Sequence, residues 1–368
     1  MLRRFLAGVV ACVLWLAPLT ATPQRGEAPL KLAIAGLVHG HVSGFLKAAQ
    51  ARTDVQIVGV FERDRALQQE YAAQYKLPNE IFFSDLGAML DRTKPQAVAS
   101  FTSTLDHPMV VEAAAARHVH VMMEKPLAVS VADARRIQQA AERGRVQVFV
   151  NYETTWYPNH AAIWSLVKER GAAGEIRKMV ALDGHQGPKK INVQPEFFNW
   201  LTDPDKNGAG ALFDFGCYGA NLMTWLMDNQ RPLAVFAVTQ QFQPEIYPRV
   251  DDEANILVEY PHAVGIIQAS WNWPFNRKDF EVYGDHGQAI ATTGGTGLRI
   301  ALPNEPEHAV TPDPRPPDEH DSISHLIAVV RGRQPNGLSS LANNMIVTEI
   351  LDAARTSART HARVTLGR

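Results

Sequence analysis

Val121-Met122-Met123-Glu124-Lys125-Pro126-Leu127 ends an apolar, strand-like run on an acid, a lysine and a proline. Buried strands of α/β sheets end where such proteins place their ligands, and an amine held there can exchange a proton with a bound molecule. The Glu-Lys-Pro triplet alone could decorate any surface turn. Its weight comes from the roughly 90 residues before it, in which strand and helix patterns alternate.

Working outward from that run, Leu32 to Ala35 reads as a short buried strand, Gly36 opens a turn, and Val42 to Ala51 has helical spacing. Val55 to Val60 is a second strand, closed by Phe61-Glu62-Arg63-Asp64. Ala66 to Tyr75 is helical, and Ile81 to Phe83 is a short strand. Ala97 to Phe101 is another strand, and His107 to Ala116 a helix with Pro108 at its start, where a missing N–H costs nothing. His118 to Met123 then delivers Glu124, and Val146 to Val150 closes the series. This alternation predicts a doubly wound parallel sheet over residues 30–150.

The turn Gly36-Leu37-Val38-His39-Gly40-His41 stands where a dinucleotide-binding fold carries G-x-G-x-x-G, and it has valine at the second glycine. It follows the first strand of a βαβ unit, and Glu62 lies about 26 residues on, placed to accept ribose hydroxyls. Arg63 could instead hold the extra phosphate of NADP, so both cofactors stay open. His39 and His41 have no carboxylate near them in sequence, and no metal site is expected.

Beyond residue 150 the pattern changes. After a helical stretch from Pro158 to Arg170, strand-like runs follow without regular helices between them: 178–183, 234–241, 253–259, 265–270, 278–283 and 288–292. They predict a mostly antiparallel sheet, hence an α+β substrate domain over 151–340. Pro303 to Pro317 reads as a loop or extended connector, and Ser322 to Arg331 and Leu341 to Ala358 as amphipathic helices, the last opening a closing segment, 341–368. Within this half, Trp200 leads to the glycine-rich Gly208-Ala209-Gly210, which reads as allowing close approach of a ligand, and then to Asp214, Tyr218 and Asn221. The last three fall at i, i+4 and i+7, on one face of an otherwise apolar helix.

Residues 1–25 have the layout of a secretory signal: Arg3 and Arg4, an apolar run from Phe5 to Ala17, then turn and small residues. Export to the periplasm by the Sec or twin-arginine route is expected, with a lipoprotein site at Cys12 the less favoured variant. A net charge of −2 offers nothing to nucleic acid or an acidic membrane surface. Cys12 and Cys217 are the only cysteines, which excludes a disulfide framework or a cysteine metal centre.

Glu124-Lys125-Pro126, Gly208-Ala209-Gly210 and Asp214-x-x-x-Tyr218 together resemble the Gfo/Idh/MocA oxidoreductases, over nearly the whole chain after residue 30. Most members carry histidine where Tyr218 stands, and tyrosine there is similar to the glucose–fructose oxidoreductase and dihydrodiol dehydrogenase branch. The resemblance implies a Rossmann domain holding NAD or NADP, and the expected export, read from Arg3 to Leu19, favours a tightly held cofactor. For this chain the resemblance puts the cofactor against Gly36, Leu37, Val38, His39, Glu62, Arg63, Ser103, Thr104, His107, Glu124 and Lys125. It also implies a cis peptide before Pro126, and a C-terminal open sheet that supplies the substrate pocket and often a dimer surface.

The expected reaction is hydride transfer to or from a hydroxyl-bearing carbon of a sugar or polyol. Lys125, Tyr218 and Asp214 are the expected catalytic residues, with Trp200 and Asn221 also touching substrate. Tyr218 is the acid/base, its phenol lowered by Lys125 or helped by direct donation from it, and either could move the proton. Two other readings stay open: an NAD-assisted glycosidase, and a non-catalytic exported protein that binds a sugar or cofactor.

Overall fold

The computed structural model describes residues 27–292, 294–333 and 337–367, so the expected signal segment lies outside the described residues. Six parallel strands form the first sheet: β1 (Leu30–Ala35), β2 (Val55–Phe61), β3 (Phe82–Phe83), β4 (Ala97–Ser100), β5 (His120–Glu124) and β6 (Val148–Asn151). Their order is β3-β2-β1-β4-β5-β6, the doubly wound arrangement. β1, β4 and β5 are buried on both faces along nearly their whole length, which is why they read as apolar runs rather than alternations. Three crossover helices start on side-chain caps supplied by the sequence. Asp64 accepts from the N–H of Ala66, Asp85 from Ala88 and Ser130 from Asp133. Chain order reverses between β1 and β4, so a crevice opens at their carboxyl ends.

The second sheet has nine strands: β7 (Ile176–Gly184), β8 (Ala234–Gln240), β9 (Glu253–Glu259), β10 (Val264–Ser270), β11 (Arg277–Gly284), β12 (Gln288–Ala291), β13 (Leu298–Leu302), β14 (Glu305–Val310) and β15 (Val364–Thr365). Its order is β14-β13-β12-β11-β7-β10-β9-β8-β15, antiparallel except where β7 meets β10. Helices Ala211–Asp214, Gly216–Leu226 and Leu341–Thr360 pack against it. Phe236, Leu257 and Ile266 are exposed neighbours across β8, β9 and β10.

Two local expectations differ from the structure. Part of the stretch expected as a Pro-rich loop is β14, which pairs with β13; it is an edge strand, where Pro306 interrupts no central ladder. The helix expected to carry Asp214, Tyr218 and Asn221 is divided at Phe215, which belongs to neither turn. One continuous core includes Val121, Met123 and Tyr152 from the first half and Tyr218, Ile267 and Leu351 from the second. The halves are therefore packed together, and the β5 edge faces the divided helix.

Candidate active site

β5 ends at Glu124, and the Lys125–Pro126 peptide that follows is cis. The Lys125 ammonium crosses to the second half, donating to the Asp214 carboxylate and, at 3.2 Å, to the Asp214 carbonyl. The other Asp214 carboxylate oxygen accepts from Trp271 Nε1 at 2.9 Å. Burial opposes both charges, but their mutual attraction outweighs it: Lys125 is held above its ordinary value and Asp214 below. Lys125 is an ammonium at neutral pH.

Asp214 is set in place from below. A Cβ at Gly210 would lie 1.8 Å from the Asp251 carbonyl oxygen, so only glycine fits. The Asp251 carboxylate caps this turn, accepting from Gly210 N–H at 2.9 Å and Leu212 N–H at 2.7 Å. Gly210 thus serves close packing inside the chain rather than the approach of a ligand.

Tyr218 lies one turn on, buried, with its ring centre 5.2 Å from Lys125 Nζ. Among the described residues its hydroxyl has no hydrogen-bond partner. The expected lowering of this phenol is not found. Burial pushes it well above its ordinary value, Glu153, Cys217 and Asp214 push further, and the Lys125 charge is already engaged by Asp214. Asn221 does not join the pocket. Beyond the break at Phe215 its amide donates to Leu338 O and Asn343 Oδ1, both at 2.8 Å, tying two helical segments together. Trp200 is also buried, its Nε1 donating to Val38 O at 3.1 Å and its ring against His39, so it braces the turn rather than lining the pocket.

A cavity of about 460 Å³ opens beside the lysine–aspartate pair, lined among others by His41, Lys125, His185, Asp214, Tyr218 and Lys278. His41, His185, Lys278 and Glu153 are wall residues that the motif reading missed. Lys278 Nζ lies 4.6 Å from the centres of both the Phe215 and Tyr218 rings and 3.6 Å from Glu153. Its signal was available in the alternation of β11, which turns Lys278, Phe280 and Val282 to the buried face. Burial pushes His185 down to about 4, and its Nδ1 accepts from Gly187 N–H, so it is neutral.

The cofactor-side residues gather at the carboxyl edge of the first sheet. Gly36 has φ 85°, and a Cβ there would meet Thr102 Cγ2 at 2.7 Å. Glu62, at the end of β2, accepts from Leu37 N–H at 2.8 Å and Asp64 N–H at 3.0 Å. The exposed Arg63 stacks over Phe61, and Ser103 donates to Asp106 at 2.6 Å. His39 Nε2, Thr104 Oγ1 and His107 Nε2 are buried polar atoms without a partner among the described residues. Those open groups and the glycine-only turn fit a dinucleotide. The N–H groups of Leu37, His39 and His41 are engaged inside the protein, whereas those of Val38 and Gly40 have no partner among the described residues.

His41 has a carboxylate partner after all: its Nδ1 lies 3.0 Å from Glu124 Oε2. The pairing joins residues 83 positions apart and was invisible in sequence. With His39 they form a cluster whose ligand atoms lie within 4.8 Å of one another. His39 Nδ1 accepts the His41 N–H, so the His39 proton sits on Nε2, and that atom has no lone pair to offer a metal.

A doubly wound sheet with a glycine turn, joined to a pocket walled by a second sheet, is a two-part architecture with a nucleotide-type crevice beside a small-molecule chamber. Residues 30–152 match the family described as "Oxidoreductase family, NAD-binding Rossmann fold", and residues 161–290 match the "GFO/IDH/MocA C-terminal domain". The chain belongs to the Gfo/Idh/MocA oxidoreductases, enzymes with an NAD-binding Rossmann fold. A trans-1,2-dihydrobenzene-1,2-diol dehydrogenase of Sus scrofa is 22% identical over 87% of this chain and 94% of its own length. A D-xylose 1-dehydrogenase [NADP(+)] of Haloarcula marismortui is 24% identical over 48% of each. Among solved structures, an inositol dehydrogenase homolog from Azotobacter vinelandii complexed with NAD+ superposes with a TM-score of 0.80 at 19% identity, covering 93% of this chain and 98% of that one.

Proposed function

We propose that this enzyme transfers a hydride between NAD or NADP and a CH–OH carbon of a sugar or polyol. The observation that carries this reading is the buried Lys125–Asp214 pair, which brings a fixed ammonium to a cavity at the end of β5. The xylose and inositol relatives support the substrate class. When bound, the nicotinamide supplies the hydride chemistry, and the protein supplies position and proton handling. The Gly36 turn, with the open N–H groups of Val38 and Gly40, would hold the pyrophosphate. Glu62 would take the ribose and Arg63 a 2′-phosphate, while Ser103, Thr104 and His107 add polar contacts at the β4 edge. Lys125 donates to the substrate oxygen, Asp214 fixes Lys125, and the unpartnered Tyr218 hydroxyl orients the substrate.

The row Phe236, Leu257 and Ile266 supports a homo-oligomer formed through the open face of the second sheet. Arg3 to Leu19 supports export to the periplasm. No helix among the described residues is long and apolar enough to cross a membrane. The test is to purify the full chain, identify bound nucleotide by mass, and follow nicotinamide absorbance with D-xylose, D-glucose and myo-inositol. A co-purifying or titratable dinucleotide with reduction by one of these supports the reading. Binding of neither NAD nor NADP overturns it.

A further inference from the structure

The roles assigned above leave the substrate proton without a taker. Lys125 is held as an ammonium, Tyr218 is pushed well above its ordinary range by burial, and His185 is neutral and pushed down to about 4 by burial. Glu153 is engaged by Tyr157 at 2.7 Å and by Lys278. A general base needs an open lone pair and a proton affinity matched to the working pH.

We propose that His41, oriented by Glu124, is the catalytic group that takes and returns the proton of the substrate hydroxyl. This rests on the oxidoreductase reading above. His41 occupies the position of the last glycine in the turn fingerprint, so a side chain stands where the motif has none. Its imidazole is 46% exposed and lines the cavity, whereas the Glu124 side chain is 1% exposed. Glu124 cannot swing away, because its Oε1 accepts from Asn151 Nδ2 at 2.8 Å and Asn151 Oδ1 accepts from Trp156 Nε1 at 3.2 Å. With Nδ1 donating to Glu124, the neutral imidazole keeps its lone pair on Nε2, which has no partner among the described residues. This is the geometry by which a carboxylate orients a histidine base.

The groups facing His41 are His39 on the same turn, Glu124 and Lys125 at the end of β5, and Glu153 after β6. Burial and Lys125 oppose its charged form. Glu124, by charge and hydrogen bond, with Glu153 adding, outweighs them and raises His41 from its ordinary value. In the oxidative direction the hydroxyl O–H bond breaks and its proton bonds to His41 Nε2. The electron pair left on oxygen closes the carbonyl, and a bound nicotinamide would accept the carbon's hydride. In the reverse direction the imidazolium returns the proton to the new alkoxide.

The test has two arms on the full chain. In the first, ¹⁵N histidine spectra are recorded across pH in wild type, His41→Gln (to assign the signal) and Glu124→Gln. A neutral Nδ1–H tautomer, with a midpoint that falls by about one pH unit in Glu124→Gln, supports the proposal. An Nε2–H tautomer or an unmoved midpoint overturns it. In the second arm, kcat and KM of His41→Gln are measured with whichever of NAD or NADP the wild type uses and whichever of D-xylose, D-glucose or myo-inositol it oxidises. The expected result is a loss of roughly 10²-fold in kcat, loss of the acid limb of the pH profile, and partial rescue by added imidazole. Activity within threefold of wild type with an unchanged profile overturns it. If wild type oxidises none of the three, that outcome counts against the substrate reading, and the spectra still decide for His41.

Discussion

Two acid–base pairs border the same cavity and are built in opposite ways. Lys125–Asp214 joins the two halves of the molecule, with both partners buried and Asp214 further tied to Trp271. His41–Glu124 lies within the first half, with one partner sunk at the strand end and the other open to the cavity. Burial on both sides fixes a charge, because neither partner can be neutralised without stranding the other. Exposure on one side leaves a group that can exchange its proton with whatever enters. One pair is a clamp and the other a titrating site.

The largest effect should come from breaking the clamp. Lys125→Ala is expected to lower turnover by at least ~10²-fold. It should also cost about 3–5 kcal/mol in denaturant unfolding, since Asp214 is left buried and unpaired. Near-normal turnover would sink the role given to Lys125. A second experiment separates the titrating pair from the rest of the acid response. Burial pushes His160 down to about 4. Its unfolded value is about 6.5, so its contribution is complete above that pH and lost as pH falls toward 4. A stability drop on the order of 3 kcal/mol across that window is expected, and His160→Gln should remove it from the melting profile. A profile unchanged in His160→Gln would count against that assignment.

Gly210→Ala tests the foundation of the clamp from a distance. The added methyl meets the Asp251 carbonyl, so the turn must shift, at a cost of about 1–3 kcal/mol with a rise in KM. A variant as stable as wild type would show that Asp214 is not set by this packing. The smallest effect belongs outside both pairs. Asn221→Ala should lose about 1–2 kcal/mol of stability with kcat/KM unchanged, because its amide serves Leu338 and Asn343. A drop in kcat/KM larger than tenfold would return Asn221 to the substrate wall.

The first sheet was legible because its signals are local: apolar runs, capping residues and a proline after a strand are each read within a few positions. The same locality made Lys125 stand out, and it made Asp214 and Tyr218 plausible neighbours. Asn221 misled because a shared helix face does not fix depth: it lies one turn beyond Tyr218 on the same helix, against Leu338 and Asn343 instead of the cavity. The His41–Glu124 pair could not be read at all, since only the order β1-β4-β5 brings its partners together. Lys278 lay in plain sight on the inward face of β11, but a charge in an alternating strand reads as solvent-facing until its register is known. The shift of the Tyr218 phenol depends on how deeply the helix sinks, a property of packing and not of neighbours in the chain.

The reach of the contacts that shape the cavity also has a kinetic side. Lys125 and Asp214 are 89 residues apart, Trp200 meets the carbonyl of Val38 across 162, and Tyr152 Oη donates to Asn344 across 192. Such long loops close late, since their ordering entropy is spent before any contact rewards it. A chain with only its first half folded therefore has the glycine turn and the strand edges but no substrate chamber. Trp271 reaches its hydrogen bond to Asp214 only when that chamber is complete.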